Sequence, residues 1–179
     1  GKAAAVLAGV VDPSLVTERP DTVTLHRWGR WEVTLVAAPV PEGGTADEND
    51  RSLVLLLYLG RDLRLVWSGD LEEPGEERLL AAHPQLASAD VWKAGHHGSD
   101  TSGGKPWLSR LRPGLVLVSC GVGNRYRHPS HGPYVVGGDT LALRRSDLHG
   151  TVTVRWDRQG QMRHDSAWRG SAETSGWPP

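Results

Sequence analysis

The chain is 179 residues long, enough for one domain with a sizeable apolar core, and one domain is the prior. Lys and Arg total 20 against 21 Asp and Glu, a formal charge of −1, so the composition builds in no bulk attraction to nucleic acid or anionic lipid and any anion site must be local. The 38% apolar and 23% charged content argues against a disordered chain, the single Cys120 excludes a disulfide framework or Cys-rich zinc module, and no apolar run reaches the ~20 residues of a membrane-spanning helix.

In chain order, Ala3 to Ala8 reads as the last turns of a helix and Asp12-Pro13-Ser14 as a turn. Lys2 before that short apolar run also has the outline of a signal peptide, but the chain opens on Gly, so the first residue is taken as a cut. Thr22 to Leu25 and Trp31 to Ala37 alternate apolar and polar residues around Trp28-Gly29-Arg30, the pattern of a hairpin. After a polar loop from Pro39 to Asp50, Leu53 to Leu59 and Leu63 to Trp67 flank the turn Gly60-Arg61-Asp62. The first of these is apolar without alternation and is expected to be buried on both faces. Glu72-Glu73-Pro74 opens a short helix that stops at His83-Pro84. Then come a strand from Val91 to Ala94, a loop from Gly95 to Gly104, a helix from Lys105 to Leu111 and a strand from Leu115 to Cys120. Such alternation predicts an α/β (α+β) arrangement with covered sheets. Gly121 to Gly138 is a long loop, Thr140 to Arg145 and Thr151 to Trp156 are strands, and the tail from Ser166 to Pro179 is expected to fray.

Three loops that follow buried strands hold the residues capable of chemistry. Asp70 ends the first, after Ser68-Gly69, where a strand end aims a side chain while the sheet holds its backbone; a helix-capping role would need the same residue. Gly95-His96-His97-Gly98-Ser99 sets adjacent imidazoles between glycines, and a carboxylate loop beside an imidazole loop suits a divalent ion with O and N ligands. Ser119-Cys120-Gly121 through Asn124-Arg125-Tyr126-Arg127-His128-Pro129 concentrates hydrogen-bond donors able to cradle a phosphate. Cys120 reads as a packing residue, His26, His83 and His164 as structural, and Asp147 and His149 as parts of a turn.

Glu48-Asn49-Asp50-Arg51-Ser52-Leu53-Val54-Leu55, Ser68-Gly69-Asp70-Leu71-Glu72, Asp90-Val91-Trp92-Lys93-Ala94-Gly95-His96-His97-Gly98-Ser99 and the loop from Ser119 to Pro129 together resemble, in order, the C-terminal metallo-β-lactamase-like domain of ComEC competence proteins. The resemblance runs from residue 17 to about 157. It implies the C-terminal part of an αββα sandwich over 1–165, incomplete at its N-terminus, with 166–179 a tail. It also implies a pair of zinc or manganese ions that activate water against a phosphodiester. Asp70 would bridge the ions and one imidazole of the His96-His97 pair would ligate the second. The reading puts His97 there and His96 on the substrate phosphate, although sequence does not tell the rings apart. Ser99, Asn124, Arg125, Tyr126 and His128 would face the substrate. The implied partners are DNA, the upstream half of the same domain and a membrane channel domain, in a parent protein of the bacterial plasma membrane whose domain is proposed to degrade the DNA strand left behind.

The family's His-x-His-x-Asp-His motif, which carries most metal ligands, occurs nowhere in the chain. A catalytic zinc takes three protein ligands and keeps one position open, so the chain alone is expected to be inactive and to begin after the first half of the domain. A second departure follows Pro129, where Gly132-Pro133 and Gly137-Gly138 stand in place of the family's helix. Two alternatives stay open: a degenerate, non-catalytic nucleic-acid-binding or structural module, and a soluble metallohydrolase of a small phosphoester.

Overall fold

The computed structural model describes residues 17–19, 22–40, 47–130 and 134–167, with side chains from residue 26 onward. The helix end expected at Ala3 to Ala8, the turn at Asp12, Gly132-Pro133 and the tail beyond Ala167 lie outside these residues.

Strands β1 (Thr17–Arg19), β2 (Thr22–Trp28), β3 (Trp31–Ala37), β4 (Leu53–Leu59) and β5 (Asp62–Trp67) form an antiparallel meander. Its tight turns follow from glycine: Trp28 pairs with Trp31 and Leu59 with Asp62, which leaves two-residue loops whose Gly29 and Gly60 sit at φ +58° and +66°. The chain then changes character. Helix α1 (Glu73–Ala82) starts with Pro74 in its first turn, and β6 (Val91–Lys93), α2 (Lys105–Leu111), β7 (Leu115–Val118) and β10 (Leu143–Arg145) add parallel strands to the same sheet. The result is an eight-stranded mixed sheet in the order β1-β2-β3-β4-β5-β6-β7-β10. A short ribbon of β8 (Val135–Val136) and β9 (Asp139–Thr140), helix α3 (Ser146–His149) and a hairpin of β11 (Val152–Trp156) and β12 (Met162–Ser166) complete the described chain.

Some boundaries differ from those read in the sequence. The strand expected to reach Cys120 stops at Val118, because Cys120 N–H is taken by the Ser146 hydroxyl at 2.8 Å. The strand expected from Thr140 to Arg145 splits into β9 and β10, since Leu141 N–H goes to the Tyr134 carbonyl at 2.8 Å. The mostly polar β12 carried no apolar signal by which to find it.

The two faces of the sheet have different fates. Leu56, Val66, Trp92 and Val116 lie in one cross-strand row under α1 and α2, and with Leu79, Trp107, Leu108 and Leu111 they form the buried core. On the opposite face run the rows Val33-Leu57-Leu65-Val91 and Leu35-Leu55-Trp67-Lys93-Leu117. The hairpin β11–β12 covers the β6–β7 end of that face, but Val33, Leu35, Leu55, Leu57 and Leu65 are only half-buried and Trp67 is 51% exposed. So β4 is buried on one face, not on both as its unbroken apolar run predicts. Between the hairpin and this face lies a groove of about 720 Å³ lined by Leu65, Trp67, Val91, Leu117, Val154 and Trp156, with Lys93 and Arg144 its charged members.

Candidate active site

The loops after β5, β6 and β7 meet at the carboxyl ends of the parallel strands, the usual place for a site in such a sheet. Backbone bonds weld them together. His96 N–H donates to the Gly69 carbonyl at 3.1 Å and Ser130 N–H to that of Gly98 at 3.0 Å, while within the imidazole loop the buried Ser102 hydroxyl donates to the Gly95 carbonyl at 2.8 Å. The loop before β4 supports the first of them, since Ser52 Oγ accepts the Asp70 N–H at 3.1 Å. Within this frame His96 and His97 both take left-handed backbone angles, φ 43° and 54°, a conformation uncommon outside glycine.

Asp70 and His97 are brought together: Nε2 of His97 lies 3.9 Å from Oδ1 of Asp70. The other ring nitrogen of His97 is 2.8 Å from the Ser119 carbonyl, which can only accept, so Nδ1 carries a proton and Nε2 is the ring atom turned toward the carboxylate. Metal–ligand bonds of about 2.0–2.2 Å to nitrogen and oxygen would let one ion sit between these atoms without rearrangement. His96 is tethered differently, with Nδ1 2.9 Å from Glu72 Oε1.

The third loop contributes a row of rings. Arg125 lies over Tyr126, its guanidinium carbon 4.6 Å from the ring centroid, and also donates to the Tyr126 hydroxyl. Tyr126 stacks on His128 at 5.8 Å, and His128 meets His96 at 5.7 Å. Burial and then the neighbouring His96 and His97 rings hold the His128 imidazole below its ordinary pKa, which makes it a neutral polar group near pH 7. Asn124 is spent inside the loop: Nδ2 donates to the Gly121 and His128 carbonyls at 2.9 and 2.7 Å, and Oδ1 accepts the His128 N–H at 2.8 Å. Ser99 is buried, its hydroxyl bonded to Thr101 Oγ1 at 2.9 Å. The exposed donors of the cluster include Arg125, Tyr126 and Arg127, with Tyr126 61% exposed.

Sequence reasoning passed over three residues that the structure places beside the site. Glu72 read as a helix start, yet one of its oxygens collects bonds from His96, Thr101 and Asn49; its signal was the position two residues after Asp70. Glu76, 1% exposed in α1, accepts the N–H groups of Gly103 and Gly104 at 2.8 and 3.0 Å and so anchors the end of the imidazole loop to that helix. Burial pushes its pKa up to about 8 against the pull of those bonds. Lys93, 7% exposed at the end of β6, has no hydrogen-bond partner among the described residues; burial lowers its pKa and Asp70 partly offsets that. Cys120 donates its thiol to Asp147 at 3.2 Å, and burial with that bond pushes its pKa up to about 11, so the thiol stays protonated.

Among the described residues no group of three or more His, Cys, Asp or Glu side chains could hold a metal ion. Asp70 and His97 fit one edge of such a centre and do not complete it. No helix among the described residues is long and apolar enough to cross a membrane.

No protein-family model matches the chain. It is similar to ComE operon protein 3 of Bacillus subtilis, 35% identical over 112 residues, which are 62% of this chain and 14% of that protein. It is also similar to competence protein ComA of Neisseria gonorrhoeae, 34% identical over 115 residues, 64% of this chain and 16% of that one, and to recombination protein 2 of Haemophilus influenzae, 33% identical over 87 residues, 49% and 10%. The chain therefore spans about one sixth or less of the length of these relatives.

Proposed function

We propose that this chain is the C-terminal part of a metal-dependent phosphodiesterase or nuclease domain in a ComEC-type DNA-uptake protein. The observation that carries the reading is the meeting of Asp70 and His97, 3.9 Å apart, with the ring turned by the Ser119 carbonyl so that its free nitrogen faces the carboxylate. The competence proteins among its relatives support the DNA-uptake role. The half-exposed apolar face supports an upstream half of the domain, because a sheet that is apolar on both faces needs a layer on each. That layer would be the second sheet of an αββα sandwich and would bring the remaining ligands of a zinc or manganese pair, which when bound would supply activated water for attack on a phosphodiester.

The residues of this chain then divide the work. Asp70 and His97 hold position at the centre. Arg125 and Tyr126 present donors to the substrate backbone, with His128 stacked behind them. The Nε2 atom of His96 faces the phosphate; it takes up a proton from solvent and hands it to the oxygen that leaves as its P–O bond breaks, while the attacking water gives up its own proton to solvent. Partners on this reading are DNA, the upstream half and a membrane channel domain, in a parent of the bacterial plasma membrane.

The test is hydrolysis of single- and double-stranded DNA and of bis-p-nitrophenyl phosphate, with zinc or manganese, by the polypeptide extended upstream through a His-x-His-x-Asp-His segment. Asp70→Asn and His97→Gln should each lower turnover at least about a hundredfold, since either removes a ligand. Near-wild-type turnover in either variant refutes the site. Binding of DNA without hydrolysis favours the non-catalytic module, and hydrolysis of the small ester alone favours a phosphoesterase.

A further inference from the structure

We infer that Glu72 is a positioning residue that locks His96 in its Nδ1-protonated form and thereby dedicates Nε2 to the substrate. For that catalytic consequence the inference rests on the phosphodiesterase reading, whereas the lock itself belongs to this chain alone.

Oε1 of Glu72 lies 2.9 Å from His96 Nδ1, 2.9 Å from Thr101 Oγ1 and 3.3 Å from Asn49 Nδ2. Donors from the loop before β4 and from both ends of the imidazole loop thus converge on one oxygen, and this fixes the carboxylate before it fixes the ring. An ionised carboxylate only accepts, so the proton of the shared bond resides on Nδ1 and Nε2 keeps its lone pair. No hydrogen bond occupies that Nε2 among the described residues. The backbone agrees with the side chain, since the left-handed turn at His96 is held from the other side by its own N–H to the Gly69 carbonyl at 3.1 Å.

The contrast with the next residue gives the lock a purpose. His97 anchors the same ring atom on a neutral carbonyl and aims Nε2 at Asp70. His96 anchors it on a carboxylate that Asn49 and Thr101 also hold, which fixes the direction of the ring and of its Nε2. Two adjacent imidazoles that are alike in sequence are therefore unlike in role. His97 is built to ligate and His96 to face the substrate, with Glu72 the cause of the difference.

The test reads tautomers by long-range ¹H–¹⁵N correlation on this 179-residue chain, without metal or substrate, at about pH 8, where an ordinary imidazole is neutral. His96 should show a protonated-type Nδ1 and an unprotonated-type Nε2. Glu72→Ala should release the ring to average between tautomers. Glu72→Gln, whose side-chain oxygen still accepts, should retain the lock, and so should Thr101→Val, which removes a different donor from the same oxygen. His97, anchored on Ser119, serves as the internal reference for an intact site. If Glu72→Ala disturbs that reference, Glu72→Asp, which withdraws the carboxylate by one methylene, decides the matter. A wild-type His96 protonated on Nε2, or a ring still locked in the first variant with an intact reference, overturns the inference and leaves the hydrolytic reading standing. In the hydrolysing polypeptide Glu72→Ala should lower kcat at least about tenfold with KM unchanged. Loss of KM alone would overturn the positioning role, whereas absence of any hydrolysis in the wild type would strike the phosphodiesterase reading and leave the tautomer result intact.

Discussion

Nε2 of His97 and Oδ1 of Asp70 stand 3.9 Å apart at the ends of adjacent parallel strands, close enough to share an ion and too far apart for a direct hydrogen bond. Nothing else among the described residues joins them as a third ligand.

The chain by itself should therefore bind zinc or manganese weakly and below one ion per molecule, and should not hydrolyse DNA of either strandedness. Isothermal titration calorimetry measures the first and a nuclease assay the second. Asp70→Ala should abolish the residual binding. Tight one-to-one binding would mean that ligands outside the described residues complete the centre.

Glu76 predicts a pH dependence of stability. Its folded pKa, raised by burial from 4.5 to about 8, means that the folded chain holds a proton which the unfolded chain has released throughout that window. The stabilisation is complete below the lower value and is lost as pH rises through about 8, a swing on the order of 5 kcal/mol at most. Urea unfolding at several pH values between these limits should show the fall, and Glu76→Gln should flatten it. A wild-type curve already flat there would show that the N–H groups of Gly103 and Gly104 hold the carboxylate ionised.

Lys93 predicts a slope of opposite sign. Burial lowers its pKa, so between the folded value and the ordinary 10.5 the unfolded chain binds the extra proton and stability rises with pH. Lys93→Met fills the same space without a charge. It should remove that slope and leave this chain as stable at pH 7 or about 1 kcal/mol more so, as when a buried charge without a partner is replaced by an apolar group. A marked loss of stability in denaturant titrations would reveal a partner for the ammonium.

Gly98 predicts a local packing limit. Its φ is +82°, and a Cβ there would meet Pro129 Cβ at 2.8 Å and Val118 Cγ1 at 3.1 Å. Gly98→Ala should cost about 2–3 kcal/mol from strain and overpacking together. Gly121→Ala, whose Cβ would meet nothing within 4 Å, should stay within about 0.5 kcal/mol. Chemical denaturation of both variants makes the comparison.

The sequence made much of this legible where local chemistry decides the outcome. The glycines at Gly29 and Gly60 and the prolines at Pro74 and Pro106 mark the hairpins and helix starts where they are found. Asp70 and His97 are legible as strand-end residues because the strands before them can be read from the runs Leu63 to Trp67 and Val91 to Lys93. What stayed hidden depends on distant partners. The run Leu53 to Leu59 reads the same whether the second face is covered by this chain or left half-open, and only the cross-strand rows through Leu57 and Trp67 show which. Ser99 and Asn124 look like free donors in a string of letters, and the fold has turned one inward and tied the other into its own loop. The convergence on Glu72 joins stretches that no local pattern links.

The bonds from Gly69 to His96 and from Gly98 to Ser130 make a single mechanical body of what the chain lays down as separate segments. A push anywhere on it, whether on the ring of Tyr126 or on Ser130, arrives at the imidazoles as a displacement shared by all of them. Evolution or engineering that lengthens any one of these connections would have to re-tune the other two at once, so variation in reach and grip should appear at the outer rim, around Val122 and Gly123, where no such bonds anchor the backbone.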